Sequence, residues 1–413
     1  MTPTGPSDRS MPRRAVLGGM AAVPVLAQAA RAQGRPIKIG VLTDMSGPYR
    51  DFGGRTSEVC AKLAAGEFAG KGFAVEVIAA DHQNKPDVGA GIARQWFDRD
   101  GVDVIVDNPN SGVALAVSAV AREKNKIFLA CGPATTDLTG PQCTPNTLHW
   151  SYDTYMLARS TGGATVKMGG DSWYFLTADY AFGQQLQKDT SAFVVGSGGK
   201  VLGASPYPFP GTTDFSSFLL SAQASRAKVL GLANAGTDTI NSIKQAAEFG
   251  LTKTMQIAAL LMVINDVHAI GQETAQGLIM TESFYWDLNE RTRAWTRRVV
   301  ALSPTNWPNM CHAGVYSSCL HYLKTVAQMG AAEAQASGAA TVARMKSMPT
   351  EDDCFGAGSI RADGRTLFPA YLFEVKKPSE SKSEWDLYKL QATTPADEAW
   401  RPLAQGGCPL IKA

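Results

Sequence analysis

The segment "TDMSGPYRDFGG", Thr43 to Gly54, follows the apolar run "IKIGVL". A strand, a glycine-marked turn and a helical pattern in that order leave backbone N–H groups free to face an anion. Four more stretches repeat the theme where an apolar run ends: Asn108 to Gly112, Cys131 to Thr135, Asp179 to Gly183 and Asn234 to Thr237. They are rich in Gly, Ser, Thr and Asn, which cap helices and donate hydrogen bonds. The chemistry this suits is holding a small anion. Transforming it needs groups that the chain does not align. The five histidines, at 82, 149, 268, 312 and 321, have no HExxH or other metal spacing, and no G-x-S-x-G elbow occurs. "GSGGK" (Gly196 to Lys200) is followed by Val201 where a phosphate loop needs Ser or Thr, and it reads as a helix end. The opening stretch has no G-x-G-x-x-G for a nucleotide. The expectation is no catalytic residue, no cofactor and no metal.

At 413 residues, two lobes are more natural than one core. The formal net charge is +2 with no basic block, which argues against nucleic acid as a partner. "MPRRAVLGGMAAVPVLAQAARAQG" (Met11 to Gly34) carries an arginine pair, an apolar stretch broken by Pro24, and small residues at Ala30 and Ala32. That is the pattern of an export signal with an A-x-A cleavage site, and Arg13-Arg14 resembles a twin-arginine pair. Its apolar stretch falls short of the ~20 residues a membrane span needs. Residues 1–34 therefore read as a signal cleaved near Ala32, with the mature chain in the periplasm; a disordered basic tail is the alternative. Export permits disulfides, but seven cysteines without a C-x-x-C leave the pairing open. Cys60, Cys311 and Cys319 lie in apolar helical patterns and read as buried thiols. Cys143, Cys354 and Cys408 lie in loop-like sequence and are the candidates for a bridge.

The elements that must position these turns alternate along the chain. "IKIGVLTD", "FAVEVIAAD", "VDVIVDN", "KIFLACG", "SWYFLTAD", "KVLGASPY", "KVLGLANAG" and "QIAALL" read as strands separated by helix-length amphipathic runs. This order predicts an α/β fold with parallel sheets covered on both faces. "GSIRADGRTLFPAYLFEVKK" reads instead as a hairpin around Asp363-Gly364, with a further strand near "WDLYKLQAT". An internal echo supports two similar halves. Asp87 opens a helix, "VDVIVDN" starts at Val102 and Ser111 opens the next helix; Asp214, Val229 and Asp238 repeat that spacing 127 residues on. In such sheets ligands sit at the carboxyl ends of the strands, where the turns named above lie.

"IKIGVLTDMSGPYRDFGG", "NSGVALAVSAVAREKNKIFLACGPATTDLT" and "FLTADYAFGQQL" resemble, in order, the solute-binding proteins of branched-chain amino-acid-type ABC importers, the leucine/isoleucine/valine-binding class. The resemblance runs from Arg35 to about Gly364. It implies two Rossmann-like lobes joined by a three-crossing hinge, with ligand held between them and an inner-membrane ABC permease as partner. The lobes would be 35–152 plus 284–362 and 153–283 plus 363–413, and the protein a monomer. Carried over by position, the ligand contacts are Phe52; Asn110, Ser111 and Gly112 at a helix start; Pro133, Ala134 and Thr135 at the next strand end; Tyr180, Phe182, Asn234, Ala235 and Leu261 from the facing lobe; and Tyr285 next to a hinge crossing. Ser111 and Thr135 would receive a ligand carboxylate, which a helix N-terminus favours by about 0.3–1 kcal/mol and each charge-assisted bond by about 1.5–3 kcal/mol. Ser111 is also an ordinary helix cap, and Phe182 an ordinary core residue.

One departure bears on the ligand. Amino-acid binders of this class pair the ligand ammonium with an acidic residue at the position that here is Leu261. An unpaired buried ammonium costs several kcal/mol. Either Asp238, Asp266 or Glu282 replaces that acid, or the ligand has no α-ammonium. The second reading is preferred, with an aromatic or other small organic acid as ligand. Phe284, Tyr285 and Trp286 could offer such a ring stacking worth about 0.5–1.5 kcal/mol, or simply form an aromatic strand. A ligand-sensing receptor or amide-binding regulator of the same fold is the alternative function.

Overall fold

The structure is a computed structural model that describes residues 34–411. The expected signal, residues 1–34, lies outside the described residues except for Gly34. Strands β1 (Ile37–Thr43), β2 (Val75–Asp81), β3 (Val104–Asp107), β4 (Ile127–Ala130) and β5 (Thr147–His149) form one sheet in the order β2-β1-β3-β4-β5. Strands β6 (Ser172–Ala178), β7 (Lys200–Tyr207), β8 (Val229–Ala233) and β9 (Gln256–Ala259) form a second, in the order β7-β6-β8-β9. Every neighbouring pair in both sheets is parallel. The first four strands of each lobe are wound alike, which is what the 127-residue echo implied.

The apolar runs make these strands because both faces of each sheet are covered. Ile37, Ile39, Val41, Val104 and Val106 face one core, beneath the helices Gly54–Gly66 and Met310–Met329. Leu42, Ile105 and Phe128 face another, with Trp96 and Phe97 of Pro86–Asp98 and Val113 and Val117 of Ser111–Glu123. Each such side chain, fully buried, contributes about 1.5–3 kcal/mol. Gly40 interrupts β1 for a reason: a Cβ there would lie 2.5 Å from the Trp96 ring.

The chain leaves the first sheet after β5 and enters the second lobe through Trp150–Thr154. It returns between β10 (Ile279–Glu282) and the helix Glu290–Val300, which packs on Gly54–Gly66. Strands β11 (Thr350–Asp352), β12 (Gly356–Ile360) and β13 (Thr366–Leu367) form a small antiparallel sheet, with the expected hairpin turn at Asp363-Gly364. The third passage leads to β14 (Ala370–Val375), which pairs antiparallel with β10 and with β15 (Tyr388–Thr394).

Past β15 the assignment of 363–413 to the second lobe has to be corrected. The tail comes back to the first lobe. Arg401 donates to the Thr136 carbonyl at 2.9 Å, and Cys408 is bonded to Cys143, 265 residues away. Cys354, expected among the bridge candidates, is a buried free thiol, as are Cys60, Cys131, Cys311 and Cys319. The tail therefore makes a fourth passage between the lobes. Among the described residues no helix is long and apolar enough to cross a membrane.

Candidate functional site

The first-lobe side of the cleft is built on the turn after β1. The Asp44 carboxylate accepts from the N–H groups of Ser46 (3.2 Å), Gly47 (2.6 Å) and Tyr49 (2.8 Å) and from Asn84 Nδ2 (2.6 Å). A Cβ on Gly47 would strike both Asp44 and Asn84 at 2.7 Å, so glycine is what lets this turn close. The turn delivers Tyr49 and Phe52 to the cleft. From the second lobe, Tyr180 precedes the helix Ala181–Gly196 and Phe182 lies in its first turn. That helix seats directly on the end of β6 because Gly183 lacks a Cβ, which would meet the Ala178 carbonyl at 2.1 Å. Across the cleft it meets the helix Ser111–Glu123.

Where the lobes meet, Tyr49, Phe52, Pro109, Tyr152, Tyr180, Phe182, Ala235 and Leu261 line a narrow, closed-up cavity. Five of these were expected from the sequence: Phe52, Tyr180, Phe182, Ala235 and Leu261. Phe52 and Tyr152 meet edge to face with centroids 5.9 Å apart. The polar atoms offered by side chains are phenol oxygens. Tyr152 donates to the Gly132 carbonyl at 2.5 Å, and the Tyr49 and Tyr180 hydroxyls are 2.5 Å apart. Burial pushes all three phenols well up from their ordinary value, so they are neutral.

Ser111 and Thr135 are buried beside this wall without lining it. Ser111 Oγ accepts from Thr135 N–H at 3.3 Å, which leaves the hydroxyl proton of Ser111 to donate elsewhere. Both are attached to the wall through short stretches of chain: Pro109 stands two residues before Ser111, and Tyr152 holds the turn that contains Thr135. Pro133 and Ala134 act through their carbonyls, accepting from His149 Nε2 (2.7 Å) and Thr154 N–H (2.9 Å). Gly112 packs near Asn110 and Pro86.

Three further expected residues also lie off the cavity wall. Asn110 does not reach the cavity: its Oδ1 caps Val113 N–H at 3.0 Å, and its Nδ2 donates to Asn84. Asn234 is occupied inside its own turn, accepting from Thr239 Oγ1 at 2.7 Å and donating to Ser242 at 3.1 Å. Tyr285 lies in the second-lobe core, between Phe373 and Tyr388, and its hydroxyl accepts from Tyr388 N–H at 3.3 Å. Tyr49, Pro109 and Tyr152 line the cavity without having been expected there; Tyr49 and Pro109 sit within turns that were singled out, and Tyr152 is bonded to another through the Gly132 carbonyl.

None of the three acids that could replace an acidic residue at position 261 is on the wall. Asp238 accepts from Tyr207 at 2.8 Å, and burial pushes its carboxyl up to about 6 against the pull of that bond. Burial drives Glu282 well up, in the core beside Asp266 and Tyr388. Asp266 caps Val263 N–H at 3.0 Å, and burial raises it to about 7. A carboxyl raised on folding lends stability at low pH, which is lost as pH climbs through the interval between its unfolded and folded values, here about 4 to 7. Asp266→Asn, which keeps an acceptor for Val263, should therefore lose less stability than the parent between pH 5 and pH 8. Urea unfolding at both values checks this, and equal losses in the two proteins would contradict it.

Residues 36–382 match the family model described as periplasmic binding protein. A crystal structure of a periplasmic binding protein from Burkholderia mallei is similar at 48% identity and TM-score 0.87, covering 91% of this chain and 99% of that one. A branched-chain amino acid ABC transporter periplasmic ligand-binding protein from Burkholderia xenovorans LB400 is similar at 34% identity and TM-score 0.78, with the same coverage. Leu/Ile/Val-binding protein homolog 4 of Brucella abortus is 24% identical over 246 residues, 55% of this chain and 57% of that protein, so the chain matches little more than half the length of this curated relative. With its two parallel-sheet lobes and the cavity between them, the chain belongs to the periplasmic binding protein family, in the leucine/isoleucine/valine-binding class.

Proposed function

We propose that this protein is the substrate-binding subunit of an ABC importer, and that it captures a small carboxylate without an α-ammonium, an aromatic or other organic acid. It binds between the lobes as a periplasmic monomer, leaves the ligand chemically unchanged and passes it to an inner-membrane permease. The moving units are 35–152 plus 290–367 and 153–285 plus 370–395, bounds shifted from 284 and 363 because Tyr285 packs in the second-lobe core and β13 pairs with β12, and closure is a hinge motion between them. The observation that carries the reading is the cavity wall, which has Leu261 at the position of the ammonium partner and no charged side chain at all. An α-amino acid would leave its ammonium unpaired there, at a cost of several kcal/mol. Behind that wall, two residues past Pro109, the Ser111 hydroxyl and the start of the helix Ser111–Glu123 are the groups proposed to receive a carboxylate.

A thermal-shift panel tests this. Benzoate-like and short aliphatic acids should raise the unfolding temperature, since a ligand selective for the folded state at a hundred times its Kd adds about 2.7 kcal/mol. Leucine and glutamate should not, and strong shifts from either would overturn the reading. Ser111→Ala should weaken binding of the best acid by about 1–3 kcal/mol in calorimetry, as its carboxylate loses a donor in a dry site. Unchanged affinity would remove Ser111 from the site.

A further inference from the structure

One edge of the cleft is bridged from lobe to lobe by a hydroxyl pair whose bond the ligand reading does not use. The Tyr49 hydroxyl, on the turn fixed by Asp44, meets the Tyr180 hydroxyl of the second lobe at 2.5 Å. Phe209, also from the second lobe, stacks on Tyr180 at 4.4 Å and on Tyr49 at 5.5 Å. Beside them Thr237 N–H donates to the Pro48 carbonyl at 3.2 Å, a second bond between lobes. Gly236 makes that approach possible, since a Cβ there would lie 2.3 Å from the Pro48 oxygen. Tyr49 and Tyr180 both line the cavity, so the bridge is also its end wall. A hydroxyl pair that forms only when two lobes meet can form only around an occupant short enough to leave room for it.

We propose that the Tyr49–Tyr180 bridge is a length gate, which completes closure around a short ligand and rejects longer homologues. This rests on the reading of the cleft as the ligand site, though not on the ligand being an acid. Burial keeps both phenols neutral, so the bridge is an O–H···O bond that does not open at physiological pH. Asp238 stands near enough for its charge to bear on both phenols, and is itself engaged by Tyr207. The gate thus adds a specificity that Leu261 does not supply: Leu261 selects by charge, the tyrosine pair by length.

The test is calorimetry of the mature protein and its variants against three series of increasing chain length: ω-phenyl carboxylic acids from benzoate upward, the matching primary amides, and aliphatic α-amino acids. In whichever series binds, Tyr49→Ala should shift the ratio of long-ligand to short-ligand affinity toward the long member by at least about 10-fold, the lower end of what one methylene is worth in a fitted pocket. Tyr49→Phe keeps the ring and loses the bridge. It should weaken the short members by about 2- to 12-fold, the range for one net hydrogen bond, and leave the long members, which already preclude the bridge, nearly as they were, so the ratio moves toward the long member by that smaller factor. An unchanged ratio in Tyr49→Ala overturns the gate. Binding confined to amides or amino acids overturns the acid reading instead, and the gate is then judged on that series. If no series binds, small-angle scattering decides: the gate requires Tyr49→Ala to be more expanded than the parent, and identical profiles overturn it.

Discussion

Arg365→Met is expected to lower the unfolding free energy by about 3–5 kcal/mol, the cost of breaking a buried ion pair from one side. Arg365 is fully buried where three of the passages between lobes converge. Its guanidinium donates to the Tyr152 carbonyl at 3.0 Å, to the Trp150 carbonyl and to the Thr366 carbonyl at 3.2 Å, with Asp153 at 3.5 Å. It also lies 4.2 Å from the Trp400 ring centroid, which brings in the returning tail. Burial pushes the guanidinium down to about 10 while Asp153 opposes the shift, so the group stays charged at neutral pH. Methionine fills part of the volume and leaves three carbonyls and a carboxylate without their donor. Arg365→Lys should recover little, because one ammonium cannot reproduce a planar fork that reaches several carbonyls at once. Urea unfolding followed by circular dichroism measures both variants. A loss below about 1 kcal/mol in Arg365→Met would show that the hinge strands hold together without this clasp.

The second large effect is at the ligand. Leu261→Asp should weaken binding of the preferred acid by at least about 100-fold, because it sets a carboxyl on the wall of the cavity proposed to receive an anion. Like charges brought together at an interface cost several kcal/mol. The same substitution supplies the partner an α-ammonium lacks, so affinity for a small α-amino acid should rise. The acid-binding defect should ease at low pH, as the introduced carboxyl is protonated. Calorimetry at pH 5 and pH 8 reads all three effects. Acid affinity within threefold of the parent's at pH 8 would mean that position 261 does not face the ligand.

The two sheets were legible because a parallel strand covered on both faces writes itself as a short apolar run, and each run here is separated from the next by a helix. The matching strand order of the two lobes follows from the echo of Asp87, Val102 and Ser111 in Asp214, Val229 and Asp238. Thr147–His149 was not legible: three residues are too few to show a period, and its place at the sheet edge is set by pairing with β4. The tail's return was hidden for a different reason. A disulfide spanning 265 residues is a fact of space, and Cys354 and Cys408 look alike as sequence.

At the candidate site, the turns at strand ends gather around the cavity, but their sequence does not say which side chains line it. Asn110 and Asn234 belong to the residue type that caps helices, and capping is what both do. Tyr285 was one of three aromatics in a row, and only the register of β10 on β14 decides that it joins Phe373 and Tyr388. Tyr49 and Tyr152 were overlooked because an aromatic beside a glycine turn or a lobe crossing carries no mark of which way it faces. Leu261 was visible only against the pattern of the amino-acid binders, as a missing charge.

The central claim is that an acid without an ammonium is held between the lobes, its carboxylate at the start of the helix Ser111–Glu123. A crystal structure of the mature protein with the acid that stabilises it most tests this directly. The expected result is a carboxylate within hydrogen-bonding distance of Ser111 Oγ, with the rest of the ligand enclosed by Phe52, Tyr152, Phe182 and Leu261. A carboxylate bound elsewhere, or an ammonium seated against Leu261, would contradict it.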